Sequence, residues 1–168
     1  MPSETALLWD VLPKHVKRPS LHSDPFWGEY EKENCRISVH LAILRRSYLD
    51  LILNLEKTVE SRFSVDRRTP YDCVAVGDVV LLKQVSGPIL GIARAANVWF
   101  FELNDKQFKS IQKNFAEDLR IEDPHMWARI KKSSYATLIR LDNVRRINPI
   151  AFPKRDQRAW IVFSPKCD

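Results

Sequence analysis

The chain has 168 residues, which is typical of one domain and enough to bury a single core. Apolar residues make up 45% and charged residues 29%, as in soluble globular proteins, and no apolar run approaches the ~20 residues of a membrane helix. The formal net charge is +6, and residues 101–168 alone carry 14 basic and 9 acidic side chains. A basic half of this kind favours a polyanionic partner through counterion release, and a solvated basic face is the alternative.

The three cysteines, Cys35, Cys73 and Cys167, are widely spaced, and no CxxC pair is present. The histidines are not spaced as metal ligands with them, so the sequence predicts reduced thiols, no bound metal and no cofactor. Glu4 and Asp10 lie where a secretory signal would need basic and apolar residues. We therefore expect a cytoplasmic protein without a membrane-spanning segment.

Residues 1–34 are expected to form an irregular extension that packs on the domain formed by residues 35–168. Several prolines interrupt this segment, and a proline cannot continue a helix. Large apolar side chains would hold the extension on the domain or, alternatively, dock a protein partner: Trp9, Phe26 and Trp27.

A strand, a helix and a second strand are predicted in the next part of the chain. Apolar and polar residues alternate over 37–41, which is the pattern of a half-buried strand. Apolar residues then recur at helical spacing over 44–55. Alternation returns over 57–63, so the second strand follows the helix directly.

Further strands are predicted at residues 79–82, from 89 to about 101, at 135–147 and at 159–163, with helices within 105–132. Antiparallel strands of this number in a chain of this size usually close into a small barrel, which removes exposed edges. We therefore predict an α+β fold that is mainly β: a small barrel with flanking helices.

The most informative stretch places Lys57 at the helix–strand junction, with Glu60 and Arg62 following on one face of the strand. A compact site of mixed charge can bind a polar planar ligand or poise the lysine for proton transfer. An ion pair between Glu60 and Arg62 that only holds the barrel mouth is the structural alternative.

This stretch resembles the motif of ASCH domains, a branch of the PUA-like superfamily. The family shows a Gly-x-Lys-Thr-x-Glu-x-Arg type motif after a helix, then a Gly-Asp turn before a hydrophobic strand. The matching positions are Lys57, Thr58, Glu60, Arg62, Gly77 and Asp78. The resemblance covers roughly residues 36–163. Leu55 replaces the glycine two residues before the lysine, so we predict that Asn54 supplies the left-handed conformation.

The resemblance implies a PUA-like barrel of ASCH type whose cleft binds RNA or a modified nucleoside. Similar domains include RNA-binding modules attached to transcription coactivators, at least one ribonuclease, and small amidohydrolases acting on N4-acetylcytidine. In the amidohydrolases the motif lysine, a threonine three residues later and a downstream glutamate form the catalytic set. Lys57 matches the first, but position 60 is Glu60, and the conceivable downstream acids are Glu102 and Glu117.

The candidate site residues form three groups. Lys57 and Glu60 are the candidate catalytic pair. Ligand binding is assigned to polar side chains beside them and before a later strand: Thr58, Ser61, Arg62, Ser134 and Tyr135. Contacts with a nucleic-acid backbone are assigned to basic residues of the C-terminal half: Arg145, Arg146, Lys154 and Arg155. His40 is interpreted as structural or surface, Asp78 as part of the turn after Gly77, and Trp160 as a core residue.

Three hypotheses follow. The favoured one is a binding module that holds RNA or a modified nucleoside in a Lys/Glu/Arg cleft without chemistry. The second is a metal-independent hydrolase, either a ribonuclease or an N4-acetylcytidine amidohydrolase, in which Lys57 acts as a base or activates a nucleophile. The third is a protein-interaction scaffold that binds its partner through residues 1–34.

Overall fold

The computed structural model describes residues 38–154 and 156–163, which form one curled sheet with three helices. The elements are, in chain order, β1 (Val39–Leu44), α1 (Arg46–Leu53), β2 (Val59–Ser64), β3 (Val79–Gln84), β4 (Ile89–Glu102), α2 (Asp105–Leu119), α3 (Pro124–Ile130), β5 (Tyr135–Ile150) and β6 (Trp160–Phe163). The predicted α+β, mainly β architecture with flanking helices is confirmed. The predicted extension over residues 1–34 lies outside the described residues.

The six strands lie in the order β2-β5-β4-β3-β1-β6. β1 and β3 run parallel, and the other neighbouring strands are antiparallel. β4 and β5 have 14 and 16 residues, and their register shifts at several points. Such irregularities let long strands bend, so this pair curls the sheet towards a barrel.

Alternate residues of β3 face two different parts of the core. Val80 and Leu82 pack with the residues that bury α1, whereas Val79 and Leu81 pack with β4 and β6 on the opposite face. This strand is therefore buried on both faces, which is what its uninterrupted apolar run predicts. A third cluster joins α2 and α3 to β2 and β5.

The curl brings the two edge strands, β2 and β6, to either side of one gap. Arg62 of β2 spans the gap, because its Nη1 donates to the carbonyl of Ala159 at 3.2 Å. Its Nη2 donates to the carbonyl of Ile43, in β1, at 3.0 Å. One guanidinium thus joins the two edges of the half-barrel where backbone hydrogen bonds between strands do not. Its Cζ lies 5.2 Å from the Trp160 ring centroid, which is a cation–π distance.

The turn after α1 corrects one prediction. Leu55 has φ of +63°, while Asn54 has φ of −90°, so the leucine itself adopts the left-handed conformation. The N–H groups of Glu56 and Leu55 donate to the carbonyls of Leu51 and Ile52, at 2.8 and 3.0 Å. This is the hydrogen-bond pattern of a Schellman end, whose left-handed position usually holds glycine. Leucine therefore occupies the position of the motif glycine, and the turn keeps its left-handed conformation.

Candidate functional site: a basic cleft at the barrel mouth

An open cleft of about 1200 Å³ lies at the gap between β2 and β6. Its walls come from β2, the end of β1, the β3–β4 hairpin, α3 and the loop before β6. This volume is slightly above the range of about 300–1,000 Å³ that is usual for ligand pockets. Four residues predicted for catalysis or ligand binding line it together: Lys57, Glu60, Ser61 and Arg62.

Lys57 is the centre of one wall and is only 3% exposed. Its Nζ donates to the carbonyl of Leu119, the last residue of α2, at 2.6 Å. A helix C-terminus carries partial negative charge, so it favours a lysine ammonium there. The Tyr48 ring centroid lies 5.3 Å from the same nitrogen. Burial lowers the pKa of Lys57, the Arg62 charge lowers it further, and the carboxylates of Glu60 and Asp118 oppose this.

Glu60 is 4% exposed and points to the same region. Its Oε1 lies 3.0 Å from Nε of Arg62, at ion-pair distance but without the alignment of a hydrogen bond. Arg62 thus binds the carbonyls of Ala159 and Ile43 through its two terminal nitrogens and faces Glu60 through Nε. The structural and ligand-binding interpretations of this pair therefore coexist in one arrangement.

Thr58 does not line the cleft but holds the wall behind Lys57. Its Oγ1 donates to Oδ1 of Asp118 at 2.6 Å, and its N–H donates to the Asp118 carbonyl at 3.2 Å. Arg140 of β5 donates to Oδ2 of the same carboxylate at 2.8 Å. These bonds from Arg140 and Thr58 lower the pKa of Asp118, the former having the larger effect. Because Thr58 follows Lys57 and Asp118 precedes Leu119, this cluster fixes the Lys57–Leu119 contact.

The cleft is strongly basic. Among the described lining residues, seven are basic and two are acidic: Arg45, Lys57, Arg62, Lys83, Arg129, Lys154 and Arg158 against Glu60 and Asp156. Asp156 is bonded to Lys154 and Arg158, and these bonds hold its pKa far below the usual range, so it is ionised at neutral pH. The excess of cationic groups in a concave surface attracts anionic ligands.

Several other predicted site residues lie elsewhere. Ser134 and Tyr135 are outside the cleft, and the Tyr135 ring packs 5.1 Å from that of Tyr71, below the Arg67 guanidinium. Arg145 and Arg146 are also outside it, and Arg146 donates to the side chain of Asn54. Lys154 lines the cleft, and Arg155 lies outside the described residues.

The sequence analysis missed Lys83, which is 4% exposed on the cleft wall opposite β2. It occupies the position that continues the inward alternation of Val79 and Leu81. A lysine in the inward register of an otherwise apolar strand was the available signal, because lysines are rarely buried without a role.

A second buried polar group joins three residues whose connections were not predicted. His40 is fully buried and lies between Asp78 and Trp160. The Trp160 indole N–H donates to Nδ1 of His40 at 3.1 Å, so the imidazole accepts there and its Nε2–H donates to Oδ2 of Asp78 at 2.9 Å. Asp78 also accepts from the backbone N–H groups of Ser38 and Ala75.

In the part of the chain that the structure describes, no group of three or more His, Cys, Asp or Glu side chains could hold a metal ion. No helix in residues 38–154 or 156–163 is long and apolar enough to cross a bilayer.

No protein-family model and no curated protein matches the sequence. Solved structures do match: the ASCH protein of Zymomonas mobilis has a TM-score of 0.54 and 16% identity, over 67% of this chain and 72% of that one. A tyrosine-to-phenylalanine variant of the same protein matches equally, over 67% and 74%. A protein from Enterococcus faecalis V583 covers 85% of this chain at 12% identity, but its TM-score of 0.46 supports no argument. The predicted resemblance is therefore confirmed at the level of the fold, which is similar to that of the ASCH protein of Zymomonas mobilis.

Proposed function

We propose that the cleft binds single-stranded RNA, with Lys57 as a phosphate contact at its centre. The observation that supports this most directly is the seven-to-two excess of basic over acidic side chains in one concave surface. Neutralising phosphates with lysine and arginine releases counterions, which supplies most of the affinity in such complexes. Tyr48, whose ring lies beside Lys57 in the cleft, offers an aromatic face for a base.

Burial of the Lys57 ammonium lowers the stability of the fold, and its single hydrogen bond to Leu119 does not explain why a lysine stands there. A buried ammonium loses hydration, and one carbonyl hydrogen bond replaces only part of it. Evolution tends to keep such groups where they contact a ligand or take part in proton transfer. Two donors of the Lys57 ammonium remain for a phosphate once Leu119 has taken one.

Binding is tested by fluorescence anisotropy with a labelled oligouridylate at several salt concentrations. Lys57→Met should weaken binding roughly tenfold, because it removes one charge-assisted hydrogen bond and keeps the chain length. Lys109→Met on the exposed face of α2 is the matched control, since it removes the same charge outside the cleft. Equal affinity of Lys57→Met and wild type would exclude the proposed role. Arg62 is a poor first target because it also closes the barrel.

A hydrolase is the second candidate, and the lowered pKa of buried Lys57 favours it. The neutral amine would take the proton of a ribose 2′-hydroxyl as its oxygen attacks the adjacent phosphorus. The P–O5′ bond would then break, leaving a 2′,3′-cyclic phosphate, and the 5′-oxygen would take a proton from water. For N4-acetylcytidine, the same amine would take a proton from a water as its oxygen attacks the acetyl carbonyl. The acetyl C–N4 bond would then break as the lysine ammonium returns the proton to N4, leaving cytidine and acetate.

The two candidates require opposite protonation states of Lys57, so their pH dependence separates them. Phosphate binding needs the ammonium, and affinity should fall as pH rises through the lowered pKa. Hydrolysis needs the amine, and turnover should rise over the same interval. Turnover of labelled short RNA and of N4-acetylcytidine, with wild type and Lys57→Met at high protein concentration, decides whether any reaction occurs. If no products form while RNA binding is retained, the hydrolase is excluded and the binding module stands.

A further inference from the structure

A second buried lysine lies across the cleft from Lys57. Nζ of Lys83 donates to the carbonyls of Gln84 and Gly87, at 3.0 and 2.5 Å, in the hairpin between β3 and β4. These two bonds fix the ammonium against the hairpin and leave its third donor for a ligand. The side chain lines the cleft although the residue is 4% exposed, so the charge is held at its wall.

The sheet order separates the two lysines. Lys57 precedes β2, while Lys83 pairs with Ile43 of β1 on the other side of the gap. Arg62 reaches from β2 to the Ile43 carbonyl, so its guanidinium lies between the two walls. The cationic groups therefore follow one another across the cleft mouth as Lys57, Arg62 and Lys83.

The surroundings of Lys83 are also basic. Lys154 is close enough for its charge to lower the pKa of Lys83, in addition to the larger effect of desolvation. Lys154 and Arg158 share one carboxylate, Asp156, so this end of the cleft keeps an excess of positive charge. Like charges placed together at a buried position are unfavourable without an anion, and a phosphate would relieve the repulsion.

We propose that Lys83 and Lys154 form a second phosphate subsite, so that the ligand of the cleft is an oligonucleotide with at least two phosphates rather than a free nucleoside. This inference rests on the proposed function, because it assigns a substrate class to the same cleft. One phosphate lies at Lys57, and the next along the strand lies at Lys83, with Arg62 between them.

The test compares uridine 5′-monophosphate with an oligouridylate of about eight nucleotides, a length within the site sizes of small single-strand binding folds. With wild type, the oligonucleotide should bind more tightly and with a steeper salt dependence, by about 0.7 in the log–log slope for each added phosphate contact. Lys83→Met should weaken oligonucleotide binding about fivefold to tenfold and reduce that slope by one contact. Lys109→Met serves again as the matched control.

The outcomes separate the two proposals. If Lys83→Met binds the oligonucleotide like wild type while Lys57→Met does not, the second subsite is wrong and the proposed function stands. If wild type binds no RNA, both fail. Should Lys83→Met not fold, judged by thermal unfolding, the wild-type comparison still decides: equal salt slopes for the mononucleotide and the oligonucleotide would overturn the second subsite.

Discussion

Two groups of buried polar side chains differ in how fully their hydrogen-bonding groups are satisfied. In the first, Asp78 accepts hydrogen bonds from His40 and from two backbone N–H groups. The indole N–H of Trp160 donates to the other imidazole nitrogen of His40. In the second, at the cleft, the ammonium groups of Lys57 and Lys83 are buried but bonded only to backbone carbonyls. The first contains an acceptor for each of its donors, whereas, among the described residues, the two ammonium groups of the second donate to carbonyl oxygens and not to a carboxylate.

This difference separates a structural network from a candidate site. A polar network whose partners are all internal stabilises a single arrangement and has no donor left for a ligand. Buried cations held by carbonyl oxygens keep donors free for a ligand. Their loss of hydration lowers the stability of the folded state. The fold thus combines a stabilising network at the start of β1 and β3 with buried charges that lower stability, and those charges face the cleft.

The largest expected effect lies in the satisfied network. Asp78→Ala should lower the free energy of unfolding by about 3 kcal/mol, because it leaves a buried imidazole N–H and two backbone N–H groups without an acceptor. Denaturant unfolding measures this change. Asp66→Ala, at an exposed pair with Arg68, is the control and should stay close to wild type. A loss at Asp78 as small as at Asp66 would contradict the comparison.

The cluster behind Lys57 should show a smaller loss. Asp118→Ala should destabilise the fold by about 1–2 kcal/mol, since Thr58 and Arg140 lose their acceptor. The folded-state pKa of Asp118 is lowered, so its contribution is complete above the usual value of about 4 and is lost as pH falls through the lowered one. The difference between wild type and variant should therefore shrink only in acid. Thr58→Ser should keep most of the stability, whereas Thr58→Val should resemble Asp118→Ala.

At Lys57, substitution should stabilise the folded protein rather than destabilise it. The pKa of this lysine is lower in the folded state, so the unfolded chain binds more protons between that pKa and 10.5. Stability of wild type should then rise with pH over this interval. Lys57→Met should equal or exceed wild type by about 1 kcal/mol at neutral pH, and the advantage should shrink as pH approaches 10. A variant that is strongly destabilised at neutral pH would place Lys57 with the structural network.

The smallest expected effect concerns the turn that leads to Lys57. Leu55→Gly should stabilise the protein by about 0.5–1 kcal/mol, because glycine adopts a left-handed φ without a Cβ penalty. The Leu55 side chain is exposed, so its loss removes little packing. Leu55→Ala is the matched control and should show no gain. Thermal unfolding of the three proteins measures the difference.

The candidate site could be predicted only for residues that lie close together in the sequence. Lys57, Glu60 and Arg62 are close in sequence on one strand and its approach, so spacing alone predicted that they would share a surface. Lys83 and Arg129 come from distant elements, and only the folding of β3 and α3 around the gap brings them to the cleft. Tyr135 was placed in the site because it opens a strand, but β5 carries it to the side of Tyr71, away from the gap.

By itself the sequence determined the alternation of strands and helices, the mainly β class and the motif around Lys57, because periodicity and turn residues act over a few positions. Tertiary structure decided which edges meet and what each buried charge contacts. Arg62 closes the barrel, Thr58 holds Asp118, and His40 lies between Asp78 and Trp160, through contacts between residues 19 to 120 positions apart. Such contacts depend on the curl of the whole sheet, and no local pattern encodes it.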